Sequence, residues 1–322
     1  MSDGTPFLQQ LPHCLESTHF DALGEVMRGK VRDVYRQEER LIMVTTDRLS
    51  AFDQVLTTIP FKGEALTRMA VYWFRQTEDI IENHLIDTPD PNVMVVRACK
   101  PVPIEIVVRG YLTGSLWRDY QAGRVEEAYG LSLPAGLRKD QRFETPLITP
   151  TTKAERGEHD RPIRREEILR TNLVPEAVYE SCERAALALF ARGQEIAAER
   201  GLILVDTKYE FGLADGRVVL MDEIHTSDSS RYWIADTYEE RFEAGEDPQM
   251  LDKENIRQWL LQRGYQGDGT PPPIPDEVRA DLAETYVAAF ERITGQRFPL
   301  TVGPVEPRIR KNLVATGYLP EP

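Results

Sequence analysis

Along residues 202–223 (LILVDTKYEFGLADGRVVLMDE), Ile203, Val205, Tyr209 and Phe211 alternate with Asp206, Lys208 and Glu210. A period of two predicts a strand with one buried and one polar face. Asp215-Gly216 supplies a turn into a return strand, Arg217–Asp222. Further strands are expected over Lys30–Tyr35, Arg40–Asp47, Gln54–Ile59, Val93–Cys99 and Ile104–Val108. Helical spacing of Leu66, Met69, Ala70, Trp73, Phe74 and Ile80 predicts a helix over Gly63–His84. Ser115–Ala122, Pro175–Arg200, Lys253–Arg263 and Asp276–Thr294 read as further helices. Gly130–Asp160 reads as a long Gly-, Pro- and Thr-rich loop, and a stretch of this kind is usually functional or disordered. Residues 1–24 read as a loosely ordered lead-in with a short helix.

Parity governs what the hairpin can hold. A two-residue Asp-Gly loop pairs Glu210 with Met221 and puts Glu210 and Asp222 on opposite faces. A three-residue loop, Ala214-Asp215-Gly216, pairs Lys208 with Asp222 and gathers Lys208, Glu210 and Asp222 on one face. The residues alone leave both registers open; in the second, two carboxylates and an ammonium on a rigid ribbon suit a divalent cation with bound phosphate. The same pattern also describes a solvated sheet face with a cross-strand ion pair.

Length and charge narrow the classes. The 322 residues allow one large or two modest domains. A net charge of −14 argues against a nucleic-acid partner, which needs a basic footprint. Three scattered cysteines, Cys14, Cys99 and Cys182, give neither a disulfide framework nor metal-ligand spacing. No apolar run approaches the ~18 residues of a membrane span, and no signal pattern opens the chain. A cytoplasmic protein without membrane or nucleic-acid partners is expected, as a monomer or small homo-oligomer.

Five segments could carry chemistry. In Arg28-Gly29-Lys30-Val31-Arg32 a glycine beside a lysine lets backbone amides and an ammonium approach phosphate; it also reads as a basic turn before an edge strand. Thr46–Asp53 (TDRLSAFD) offers Ser50 and a carboxylate to a polar ligand, or forms a capped turn. Val107–Ser115 (VVRGYLTGS) ends a strand on Arg109 and starts a helix that Ser115 could cap, making a seat for phosphate or carboxylate. Ile148–Asp160 sets Lys153 in a polar loop that suits a lid or a plain surface loop, with His159 as a loop hydrogen-bonding residue. His225–Tyr232 (HTSDSSRY) places Asp228, Ser229 and Arg231 directly after the hairpin acids. No Ser/His/Asp or Cys/His arrangement suggests covalent hydrolysis. Together these segments describe a nucleotide-using enzyme with a further anionic substrate.

In this order, GKVRDVY (29–35), TDRLSAFD (46–53), VVRGYLTGSLW (107–117), TPTTKAERGEHD (149–160), LVDTKYEFG (204–212) and DEIHTSDSSRYW (222–233) closely resemble the SAICAR synthetase family, the phosphoribosylaminoimidazole-succinocarboxamide synthases. The resemblance spans roughly residues 20–265 and looks like the longer version of the family. It implies an α+β fold: a small antiparallel N-terminal lobe (1–102) with a kinase-like ATP cleft, and a larger α/β lobe (103–322) with substrate and metal sites. It implies an ATP-dependent carbon–nitrogen ligase of purine biosynthesis joining L-aspartate to carboxyaminoimidazole ribonucleotide (CAIR), with magnesium.

The resemblance also assigns roles. Lys30, helped by Arg32, would hold ATP phosphates under the Gly29 turn. The segment from Cys99 to Val102 would meet adenine as a hinge. Glu210 and Asp222 would bind magnesium, which matches the three-residue-loop register and makes it the expected one, and Lys208 would neutralise phosphate or an acyl phosphate. Arg109, Ser115, Ser229 and Arg231 would bind the ribonucleotide, joined by Ser50 from the 46–53 segment. Lys153 and Asp228 would lie near the reacting carboxylate and the incoming aspartate. Departures are Arg28 where a small residue is expected, Ser227 where the family often has proline, and a loose match at Leu251-Asp252-Lys253. The tail after about residue 270 carries no motif. One rival reading is a small-molecule kinase using the same cleft, and the missing HRD and DFG motifs argue against a protein kinase; the other is a non-catalytic nucleotide-binding or regulatory protein, against which Lys30, Lys208, Glu210 and Asp222 together argue.

Overall fold

The computed structural model describes residues 5–52, 54–153, 160–251, 254–267 and 269–321. His159, Asp53, Asp252 and Lys253 lie outside them. The chain forms two compact units: Met1–Tyr72 with Leu85–Ala98 and Asp252–Pro322, and Trp73–His84 with Cys99–Leu251. This differs from the contiguous division at residue 102. The tail returns to the N-terminal strands because it supplies apolar residues that their sheet buries.

The first unit contains β1 (Val26–Arg28), β2 (Arg32–Gln37), β3 (Arg40–Thr45), the ribbon β4 (Arg48–Ala51) and β5 (Gln54–Thr58), then β6 (Leu85–Asp90) and β7 (Val93–Arg97). Strands β1-β2-β3-β7-β6 make one antiparallel sheet. Alternation in β2, β3 and β7 sends Tyr35, Ile42, Val44, Val93 and Val95 to one face. The helix Val305–Ala315 lays Val305, Ile309 and Leu313 on that face, four residues apart and therefore on one stripe. Arg308 on the same helix bonds Glu64 at 2.8 Å and Asp90 at 3.1 Å, and also reaches Asn92. Leu15, Phe20 and Leu23 join this core, so the lead-in is anchored rather than loose.

The second unit is built on β8 (Lys100–Tyr111) and β11 (Leu202–Ala214), which pair antiparallel. To them are added β9 (Arg142–Ile148), β10 (Thr151–Thr152), β12 (Arg217–Met221) and β13 (Ser230–Ile234). The region expected as one loop over Gly130–Asp160 thus contains two strands pairing with β8. Strand β8 begins before the expected Ile104 and runs through Pro101 and Pro103. Both prolines precede Ile104, where β10 starts to pair, so their missing N–H groups interrupt no bond on that side. The helix Glu176–Glu199 buries Tyr179, Cys182, Ala186, Leu189, Phe190, Gly193 and Ala197. The helix expected over Gly63–His84 ends at Gln76, where the Thr77 hydroxyl donates to the Trp73 carbonyl.

The hairpin adopts the two-residue register, contrary to expectation. Ala214 pairs with Arg217 and Glu210 with Met221, leaving Asp215 (φ 51°) and Gly216 (φ 75°) as the turn. Two successive left-handed residues match the right-handed strand twist, and Asp-Gly supplies them at low cost. Parity nevertheless does not exclude Asp222, because β12 ends at Met221 and Asp222 takes φ 68°. Outside the ladder, its direction is no longer dictated by alternation.

Candidate functional site

One face of β11 carries Asp206, Lys208 and Glu210 at every second position. The neighbouring strands complete this row. Arg109 of β8 and Arg231 of β13 both lie opposite Asp206, and Glu105 of β8 lies opposite Glu210.

At the first position, Arg231 Nε is 3.2 Å from Asp206 Oδ1 and Arg109 Nη1 is 3.7 Å from Oδ2. Arg109 is buried; its Nε donates to Thr149 Oγ1 at 2.7 Å and its Nη2 to Ser115 Oγ at 3.1 Å. Burial lowers the Arg109 pKa and the Asp206 charge opposes that shift. Ser115 does not cap its helix: Thr113 is the N-cap residue and makes no side-chain cap bond. Two guanidinium groups share one carboxylate, so the cluster keeps net positive charge beside a helix start, which suits a phosphate.

At the second position, Lys208 Nζ contacts Glu105 Oε1 at 2.5 Å and Glu210 Oε1 at 3.6 Å, while Lys153 pairs with Glu210 Oε2. Thr151 Oγ1 donates to Glu105 Oε2 at 3.1 Å. Burial acts to lower the Lys208 pKa, but Glu105, Glu210 and Asp222 outweigh it and raise the pKa above that of an ordinary lysine. Burial raises the Glu105 pKa despite the Lys208 charge. Lys208 is therefore a fixed cation, and Asp222 belongs to its electrostatic surroundings. Glu105 was not singled out from the sequence; its place between Ile104 and Ile106, as a charge within a strand, was the available signal.

Among the described residues no three His, Cys, Asp or Glu side chains gather as a metal centre. Magnesium is commonly held by one or two carboxylates together with substrate phosphates. The hard oxygens of Glu210 and Asp222, with ammonium groups close by, fit that chemistry.

The loop from Asp222 to Ser229 returns to this row. The amide of Lys208 donates to the Ser229 carbonyl at 3.2 Å. Thr226 organises the turn: its Oγ1 donates to Glu223 Oε2 at 2.6 Å and accepts the Asp228 amide at 3.3 Å. Asp228 and Ser229 are thus set by a side chain that the sequence reading passed over.

Cys99 opens the longer segment of the second unit and Val102 lies in β8. Lys100 and Pro101 oppose Leu213 and Gly212 of β11. A Cβ on Gly212 would stand 2.6 Å from Cys99 Cβ, so glycine is needed for this approach.

Gly29, Lys30, Arg32 and Ser50 belong to the first unit. There the 29–35 and 46–53 segments meet. Arg48 Nη2 donates to the Gly29 carbonyl at 3.0 Å and to Asp33 Oδ1 at 2.8 Å, and Arg48 Nε donates to the Lys30 carbonyl at 3.1 Å. The Gly29 amide donates to the Arg32 carbonyl at 2.8 Å. Lys30 is exposed on the resulting turn and Ser50 is half-buried in β4. Asp47 is a structural acid, since it is buried and accepts the Leu15 and Gly63 amides at 2.7 and 2.9 Å. Desolvation raises its pKa to about 6.

The chain is similar to known proteins over most of its length. Residues 25–272 match the sequence pattern of the family described as SAICAR synthetase. The phosphoribosylaminoimidazole-succinocarboxamide synthase of Legionella pneumophila (strain Paris) is 47% identical over 312 residues, covering 94% of this chain and 98% of the relative. That of Bacteroides thetaiotaomicron is 49% identical over 307 residues, covering 93% and 98%. Among solved structures, the SAICAR synthase from Saccharomyces cerevisiae complexed with SAICAR aligns with a TM-score of 0.76 at 31% identity, covering 88% of this chain and 99% of that one. A SAICAR synthetase in complex with ADP aligns at 0.65 and 26% identity, covering 85% and 100%.

Proposed function

This chain belongs to the SAICAR synthetase family, and from that premise we propose how its residues divide the work. The reaction is the ATP-dependent ligation of L-aspartate to CAIR in purine biosynthesis, giving SAICAR, ADP and phosphate. The observation that carries the division of labour is the row on β11, where an arginine pair around Asp206 is followed by a lysine pair around Glu105 and Glu210.

Arg109 and Arg231, with Ser115 and Ser229, hold the ribonucleotide through its phosphate. Lys208 and Lys153 offer positive charge to the phosphoryl group being transferred and to the CAIR carboxylate. That carboxylate is a poor electrophile, and phosphorylation gives it a leaving group. Phosphoryl transfer depends mainly on position and fixed charge, which a preorganised lysine pair supplies without reorganisation. Glu210 and Asp222 would hold magnesium, which neutralises phosphate charge when bound. Lys30 and Arg32 hold ATP phosphates, the segment from Cys99 to Val102 receives adenine, and Ser50 assists the substrate. Asp228, set by Thr226, faces the incoming aspartate. A cytoplasmic location follows from the nucleotide substrates.

ADP release is the test, measured with magnesium-ATP and CAIR, with and without L-aspartate. Aspartate-dependent ADP release matched mole for mole by SAICAR is the expected result. Release indifferent to aspartate would favour a kinase that stops at phosphoryl transfer and would overturn the substrate roles.

A further inference from the structure

Behind the row of charges lies a polar group that the reaction does not use. His225 is wholly buried, with φ 51°. Its ring stands edge-on to Trp73 at 4.7 Å, and its Nε2 is 2.5 Å from the Tyr209 hydroxyl. Its carbonyl accepts the Tyr232 hydroxyl at 2.8 Å. The helix Glu176–Glu199 places Gly193 against it, where a Cβ would fall 2.5 Å from His225 Cε1. The imidazole therefore fills a socket that admits no side chain from the helix.

Sequence order gives this socket its meaning. Tyr209 lies between Lys208 and Glu210, and Tyr232 follows Arg231. Alternation sends Tyr209 to the face of β11 opposite Lys208 and Glu210. Two tyrosines adjoining site residues on two strands thus reach back to one residue of the loop carrying Asp222, Asp228 and Ser229. We propose that His225 is a positioning residue that fixes this loop to the reverse face of β11 and so sets Asp222 and Asp228 against Lys208 and Glu210. Burial keeps the imidazole neutral, pushing its pKa down to about 3, so the bond to Tyr209 joins two uncharged groups.

The inference rests on the proposed roles of Asp222 and Asp228, and its test separates the two. Tyr209→Phe keeps the ring and deletes the hydroxyl. His225→Asn keeps a residue that tolerates left-handed backbone. Hydrogen exchange is measured on both variants, together with kcat, the KM for ATP and the magnesium concentration at half-maximal rate. The expected result is faster exchange confined to amides 222–230, with exchange in β8 unchanged. With it, kcat falls at least about tenfold, the magnesium requirement rises, and the KM for ATP stays within about twofold; tenfold corresponds to about 1.4 kcal/mol. The double variant should lose no more than the more damaging single variant, because one bond is removed in all three. Wild-type exchange in 222–230 for Tyr209→Phe, or additive losses in the double variant, would overturn the proposal. Faster loop exchange with unchanged kcat and magnesium dependence would uphold the anchoring and refute the link to catalysis. An inactive wild-type protein would instead refute the functional reading, leaving the exchange result to judge the anchor.

Discussion

Gly114 and Arg231 meet so closely that a methyl group does not fit between them: a Cβ on Gly114 would stand 2.2 Å from Arg231 Nη2 and 2.3 Å from Nη1. Gly114 also takes φ 58°, which costs other residues about 1 kcal/mol. Gly114→Ala should displace the guanidinium from Asp206. The expected outcome is a rise in the KM for CAIR of about tenfold or more, with the KM for ATP unchanged, measured by steady-state kinetics. An unaltered KM for CAIR would remove Arg231 from the phosphate seat.

Asp222→Asn should keep the fold and lose turnover. Asparagine accepts the φ of 68° at this position, so circular dichroism and thermal unfolding should match the wild type. Loss of one of the two carboxylates proposed to hold magnesium should lower kcat by at least about a hundredfold. Wild-type-like activity would sink the metal assignment.

Glu105→Gln tests the carboxylate that holds Lys208 at 2.5 Å. The amide keeps the shape but removes a charge that helps fix the ammonium. Activity should fall by about tenfold, through an effect of the order of 1–2 kcal/mol on a partly exposed pair. Glu105→Leu should fall further, because it also leaves Thr151 Oγ1 without its acceptor. Wild-type activity in both variants would show that charge and shape at this position are irrelevant.

Two buried groups give the stability opposite dependences on pH. The His225 pKa is lowered from 6.5 to about 3 by burial, so its stabilising effect is complete above 6.5 and is lost as pH falls through that window. The Asp47 pKa is raised from 3.8 to about 6 by burial, so its effect is complete below 3.8 and is lost as pH rises toward 6. Each slope approaches about 1.4 kcal/mol per pH unit, and between 4 and 6 they cancel. Denaturant unfolding of His225→Asn, relative to wild type, should show stability falling as pH rises through that range. Asp47→Asn should show the reverse and a lower baseline, because one amide oxygen cannot serve both the Leu15 and Gly63 amides. Parallel pH profiles for wild type and both variants would contradict both shifts.

Arg308→Leu probes the tail. It should leave buried Asp90 with the Asn92 amide and Asn312 Nδ2 but no cation, leave Glu64 to Arg68 alone, and destabilise the protein by about 3 kcal/mol, read from denaturant midpoints. A loss below about 0.5 kcal/mol would mean the Arg308 pairs do not help to hold the helix Val305–Ala315.

What the sequence disclosed depended on whether the signal was local. Alternation in Ile203–Phe211 announced β11, and the helix over Asp276–Thr294 was read with its observed ends. The hairpin register was misjudged because it was inferred from what the acids would need. Asp-Gly chemistry decided it, and a left-handed Asp222 released that acid from the ladder. Glu105 lies outside the segments that the sequence singles out, and His225 opens one of them without a role of its own, because their partners, Lys208 and Tyr209, come from distant positions on neighbouring strands or loops. The tail looked empty because Val305, Ile309 and Leu313 acquire meaning only against β2, β3 and β7.

The same core has a consequence for a chain made from its N-terminus. Leu15, Tyr35 and Val44 leave the ribosome early, yet Val305, Ile309, Leu313 and Leu319, which finish their packing, emerge only about 260 residues or more after Val44. The first sheet must wait, apolar face incomplete, while the whole of Cys99–Leu251 is synthesised and left able to fold first.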